Sequence, residues 1–149
     1  MTPLLKKLNF KGESFIHLLS SPQDLEHQFS NEPDSQIVKE IDAASTVQFA
    51  IAFAKTLADI EHFSNHFHSR SLGDATIWIA YPKASSKKYK CEFNRDTGWQ
   101  AMGDAGFEPV RQVAIDEDWS ALRFRRVEFI KTMTRSFAMT EEGKAKATK

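Results

Sequence analysis

Thr46-Val47-Gln48-Phe49-Ala50-Ile51-Ala52-Phe53 and, one helix-length further on, Ala75-Thr76-Ile77-Trp78-Ile79-Ala80-Tyr81 are the two stretches on which the fold turns. Each is almost continuously apolar, which is the pattern of a strand covered on both faces. Between them, from Lys55 to about Arg70, the apolar residues Ile60, Phe63 and Phe67 fall on one helical face and polar residues take the other. Strand, amphipathic helix and second buried strand make a βαβ crossover, which is right-handed in nearly all sheets. Gly73-Asp74 reads as the turn into the second strand, and Pro82 as its stop.

Working toward the N-terminus, Ser14-Phe15-Ile16-His17-Leu18-Leu19 is a further buried strand, bounded by Gly12 and by Ser20-Ser21-Pro22. Ser21 as cap, Pro22 at the first helical position and acidic Asp24 and Glu26 predict a short helix to about Phe29. Ser35 to Ile41 is β-like but charged, which fits an edge strand. Toward the C-terminus, Pro82 to Lys90 is a polar, lysine-rich loop. Tyr89, Cys91 and Phe93 then alternate with Lys88, Lys90 and Glu92 as on a strand. Asn94 or Asp96 caps a predicted helix that carries Trp99 and Met102 and ends near Gly103 or Gly106. Glu108-Pro109 leads into a strand over Val110 to Ile115, Asp116-Glu117-Asp118 is a tight turn, and Trp119 to Val127 alternates as an antiparallel partner. The expected fold class is α/β: a single Rossmann-like domain with a mainly parallel central sheet, helices on its faces and a C-terminal antiparallel hairpin. The domain is expected over residues 1–139, with 140–149 a mobile tail that has nothing to bury.

With 41% hydrophobic and 27% charged residues, the 149-residue chain has enough apolar material for one core and none of the bias of a disordered segment. Lys plus Arg and Asp plus Glu are equal at 20 each, so no global field attracts nucleic acid or an anionic membrane. The single cysteine, Cys91, excludes an internal disulfide, the opening residues lack the apolar core of a signal peptide, and the cytoplasm is the expected compartment. Oligomeric state is not legible.

The order of central strand, helix, strand, helix and terminal hairpin from about Thr46 to Val127 resembles the C-terminal half of an S-adenosylmethionine-dependent methyltransferase fold. Tyr81-Pro82-Lys83-Ala84-Ser85-Ser86-Lys87 and Ile115-Asp116-Glu117-Asp118-Trp119-Ser120-Ala121-Leu122-Arg123-Phe124-Arg125 are similar to segments of an uncharacterised bacterial family of small domains with no established activity. The methyltransferase resemblance implies a cofactor site at the turn after the first strand. There glycine lets the backbone approach the cofactor, but this chain has Ser20-Ser21-Pro22-Gln23. The loop after the central strand, Ala52-Phe53-Ala54-Lys55, offers only Lys55 as a polar group, and the link from Ile41 to Val47 is shorter than the ~10 residues of a helical crossover. The expectation is therefore no S-adenosylmethionine binding in the manner of that fold, and no cofactor is assigned.

The sharpest chemical candidate is the loop leaving the second buried strand, because open α/β sheets bind ligands at the C-terminal ends of their strands. Lys83, Ser85, Ser86 and Lys87, with Arg95 near the next helix, are candidates for holding a small anionic ligand. The same residues also read as a solvated lysine loop. Asp59, His62 and His66 lie along one helix flank next to solvent and read as surface, with no metal assigned. Cys91 has Lys88 and Lys90 nearby but is expected to pack as a small apolar group. In the hairpin, Ser120, Leu122 and Phe124 share one face, and Arg123 and Arg125 the other, either paired with acidic neighbours or forming a basic edge. Three functions stay open: a non-catalytic binding module for a small anion, a divergent transferase, and an assembly protein.

Overall fold

The computed structural model describes residues 2–30, 32–40, 46–94 and 96–130. Six strands form one sheet: β1 (Phe15–Leu19), β2 (Gln36–Val38), β3 (Val47–Phe53), β4 (Ser71–Pro82), β5 (Phe107–Ala114) and β6 (Trp119–Arg126). Their order is β2-β1-β3-β4-β6-β5. The first four are parallel, and β6 runs antiparallel to both of its neighbours. The expected α/β class, parallel centre and terminal hairpin are all present.

Residues 49–53 of β3 and 77–81 of β4 are a continuous run of apolar and aromatic side chains because alternate residues serve two different cores. Val47, Ala50, Ala52, Ile77, Ile79 and Tyr81 pack with Ile60, Phe63 and Phe67 of helix α2 (Leu57–Arg70), and with Trp99 and Met102. Phe49, Ile51, Phe53, Trp78 and Ala80 face the other way, under Leu4 and Leu5 of helix α1 (Pro3–Lys7), Leu8 and Phe10. Helix α2 starts where Thr56 and Asp59 close a capping box: the Thr56 hydroxyl accepts from the Asp59 N–H at 3.0 Å, and Asp59 Oδ2 accepts from the Thr56 N–H at 3.1 Å. Asp59 is therefore committed to the helix start. Helix α1 was absent from the sequence-based expectation, although Thr2 before Pro3 is a cap signal and its side chain does accept from Leu5 N.

Other local expectations change in detail. The segment after Pro22 is a 3-10 turn, Gln23–Gln28, with Pro22 rather than Ser21 at its start. Gly73-Asp74 is not a turn: both residues lie inside β4, which pairs from Ser71 onward. Gly73 takes φ +58, next to the register irregularity opposite Val47 and Phe49, so its freedom absorbs a distortion within the ladder. Strand β5 begins before Pro109, which an edge strand tolerates because its N–H side needs no partner. Residues 89–93 form no strand. Asn94 does not cap helix α3 (Gln100–Asp104), which starts after Trp99 without a side-chain cap; Asn94 Oδ1 instead accepts from the N–H groups of Asp96 and Thr97. The expected tail at 140–149 and the link over 41–45 fall outside the described residues. Among the described residues no helix is long and apolar enough to cross a membrane.

Candidate functional site

The chain leaves β1 for β2 on one side and returns as β3 on the other, so the switch point of the sheet lies between the C-terminal ends of β1 and β3. Ser20, directly after β1, sits at φ 58. The backbone thus adopts the left-handed conformation that suits glycine, yet it carries a side chain there. Beside it the chain's own loop crosses the strand ends. The Glu92 N–H donates to the Lys55 carbonyl at 3.0 Å, and Lys88 Nζ lies 3.9 Å from Asp24 Oδ2. The Tyr89 ring packs on Trp119 at 5.0 Å, Trp119 on Phe53 at 5.0 Å, and the ammonium groups of Lys55 and Lys88 lie 5.5 and 5.4 Å from the Tyr89 ring.

Next to this covered end, beyond Pro82, an open cleft of about 960 Å³ lies between the 83–97 loop and the β5–β6 hairpin. Its floor is polar where Gln112 Nε2 donates to the Tyr81 hydroxyl at 2.9 Å beside Ser120. Its apolar wall is Phe93, Tyr89 and Tyr81, backed by Trp99, whose ring stands 4.9 Å from Phe93 and 5.5 Å from Tyr81. Gly98 lets this wall close: at φ +95 it lies so near Phe93 that an added Cβ would strike the Phe93 Cβ.

Of the five anion candidates, Lys83, Ser85 and Ser86 line the cleft together. Lys87 is exposed and does not line it, and Arg95 lies outside the described residues. Ser86 organises the loop: its hydroxyl donates to Asp118 Oδ1 at 2.8 Å and accepts from the N–H groups of Lys88 and Tyr89. Asp116 does the same for the hairpin turn, accepting from Asp118 N and Trp119 N. The lining carries Lys83 and Lys90, and also Glu92 and Asp96, so cationic and anionic groups both face the space. Sequence reasoning missed Gln112, Ser120 and Tyr81 as floor residues. The alternation of the hairpin puts Gln112 and Ser120 on one face, but only the pairing of β4 with β6 brings Tyr81 beside them.

Cys91 lies partly buried against the core and lines the cleft, and burial pushes its thiol up from the ordinary range. A raised thiol is a poor nucleophile at neutral pH, which agrees with packing. The flank reading of α2 needs correction. His66 is 7% exposed and belongs to the interior, facing β1, where His17 is 1% exposed. Among the described residues neither ring has a hydrogen-bond partner at Nε2. Burial, then the positive charges of His17, Arg70 and His62, brings His66 down to about 4. His17 is lowered by burial against an opposing hydrogen bond at Thr46. Among the described residues no group of three or more His, Cys, Asp or Glu side chains could hold a metal.

No family model and no curated protein matches this sequence. Solved structures do match in fold. A SAM dependent methyltransferase from Aquifex aeolicus aligns at TM-score 0.56 and 9% identity over 83% of this chain and 87% of its own. The pyocyanin biosynthetic protein PhzM aligns at 0.53 and 12% identity, over 83% of this chain and 53% of its own. The Methanococcus jannaschii fibrillarin pre-rRNA processing protein aligns at 0.51 and 9% identity, over 78% and 67%. At these identities the likeness concerns architecture, and the chain has a methyltransferase-like α/β fold.

Proposed function

We propose that this chain is a non-catalytic binding module that holds a small anionic ligand in the cleft at the C-terminal end of β4. The observation that carries this reading is the cleft itself: about 960 Å³, near the top of the roughly 300–1,000 Å³ typical of ligand pockets, with aromatic walls and a few convergent polar groups. Lys83 is the half-buried cation of the lining, set where the ligand's anionic group would dock, and exposed Lys87 adds charge from the same loop. Tyr89 and Phe93 offer faces for an apolar or aromatic portion. Ser85 and the Gln112–Tyr81 pair supply polar contacts, whereas Ser86 acts by shaping the loop. A cytoplasmic location belongs to the same proposal.

A ligand that binds only the folded chain raises its melting temperature by mass action. Nucleotides and dicarboxylates, in a buffer without inorganic phosphate, are the compounds to screen by thermal shift. The combined Lys83→Ala and Lys87→Ala variant loses the response, whereas Lys144→Ala with Lys146→Ala keeps it. A response untouched by the loop variant refutes the assignment. The second reading, a divergent transferase, draws on the methyltransferase-like neighbours. Against it stand the serine side chain at the end of β1 and the loop carrying Tyr89 across the strand ends. Micromolar, saturable S-adenosylmethionine binding in calorimetry, abolished by Ser21→Asp, would favour the transferase reading instead.

A further inference from the structure

On the face of the sheet opposite the cleft, one cross-strand row runs from the edge of the molecule to its centre. Arg111 on β5 pairs with Arg123 on β6, Arg123 with Trp78 on β4, and Trp78 with Ile51 on β3. Trp78 is fully buried, and its indole N–H donates to the Leu8 carbonyl at 2.8 Å. Arg111 is exposed on the edge strand, so Arg123 stands at the boundary between the N-terminal cover and solvent. Its Nε is buried without a hydrogen-bond partner among the described residues. Neither Arg111 nor Arg123 has an ion-pair partner among the described residues. The nearby carboxylate, Asp74, is already engaged by Arg125 through two bonds, at 3.0 and 2.6 Å. Glu108 stands across from Arg125, beyond the irregularity between Pro109 and Arg111.

Like charges directly opposite each other weaken an antiparallel pair, and a buried N–H without an acceptor costs stability. Burial and the charges of Arg125 and Arg111 work against ionised Arg123, while Asp74 offsets them only in part. An oxyanion between the two guanidinium groups would remove both penalties, because each fork of N–H donors matches the oxygens of a carboxylate or phosphate. We propose that Arg111 and Arg123 form a site for a doubly charged oxyanion, a phosphate group, with the Asp74–Arg125 pair flanking it. This site is independent of the cleft: Leu122 and Phe124, which alternate with Arg123, point to the α2 side, as does Gln112.

Inorganic phosphate is the probe, compared with chloride at equal ionic strength, with 31P line broadening and melting temperature as readouts. Phosphate broadens and raises the melting temperature of the parent chain, and chloride does not. Arg111→Gln, a change on the exposed edge, weakens phosphate binding roughly tenfold or more. Arg123→Leu abolishes the response and, without phosphate, melts no lower than the parent, since it removes an unpaired, repelled cation. A purely structural arginine would give the opposite sign. The proposal is overturned if the parent does not respond, if chloride does as well as phosphate, or if both arginine variants respond as the parent. It is equally overturned if the response is lost in the Lys83→Ala, Lys87→Ala chain, which would place phosphate in the cleft.

Discussion

The two ends of the parallel sheet's carboxyl edge are built in opposite ways. Where β1 and β3 finish, Ser20 holds a side chain in a glycine-like conformation and the Tyr89 loop is tied down by the Glu92 to Lys55 hydrogen bond. Where β4 finishes, the same loop stands away from the β5–β6 hairpin and leaves the cleft open. A doubly wound sheet usually takes its ligand at the first position. Here the loop that covers the first position forms a wall of the second. In the proposed reading, ligand access is thereby moved one strand toward the antiparallel edge.

The largest expected effect breaks the open end. Gly98→Ala combines a left-handed backbone with a collision at Phe93, and costs on the order of 3 kcal/mol by urea denaturation. Gly73→Ala, at positive φ but with nothing within 4 Å, costs only about 1 kcal/mol. Equal losses at the two glycines would show that packing against Phe93 is not what Gly98 serves.

A comparable effect tests the covered half through pH. The unfolded chain protonates His66 near its ordinary value of 6.5, whereas the folded chain keeps the ring neutral down to about 4. Between those limits the unfolded state binds more protons, so stability falls as pH drops from 6.5 to about 4 and flattens below. The loss from this ring is on the order of 3 kcal/mol. His66→Phe removes most of that slope in denaturation curves taken at successive pH values, and an unchanged slope assigns it to other groups.

Smaller effects sharpen the contrast. Tyr89→Ala removes the ring over Trp119 and costs about 1–2 kcal/mol. Ser20→Gly relieves the left-handed serine and gains up to about 1 kcal/mol, less the entropy glycine restores to the unfolded chain. A loss at Ser20→Gly would mean that the serine side chain is itself a structural contact.

Much of this architecture was legible from periodicity alone. The continuous apolar runs of β3 and β4 and the spacing of Ile60, Phe63 and Phe67 declare a covered parallel centre, and the alternation from Trp119 onward declares the hairpin. Short-range polar signals misled where tertiary contacts took them over. Asn94 offers a cap but closes a loop turn, and Gly73-Asp74 offers a turn but sits inside a ladder. The loop from Lys83 to Ser86 could be picked out because it leaves a buried strand. The floor beneath it could not, because Tyr81, Gln112 and Ser120 meet only through the pairing of β4, β6 and β5. Nor could a helical pattern alone reveal that His66 turns inward to meet His17.

The displacement of the ligand position is tested most directly by amide NMR of the 15N-labelled chain titrated with adenosine 5′-monophosphate, which carries both an oxyanion and an aromatic face. The account predicts concentration-dependent shifts at residues 83–94, 112 and 120, with residues 19–24 and 53–56 unmoved. Shifts centred on Ser20, Ser21 and Lys55, with the 83–94 amides silent, would return the ligand to the ordinary crevice between β1 and β3 and contradict it.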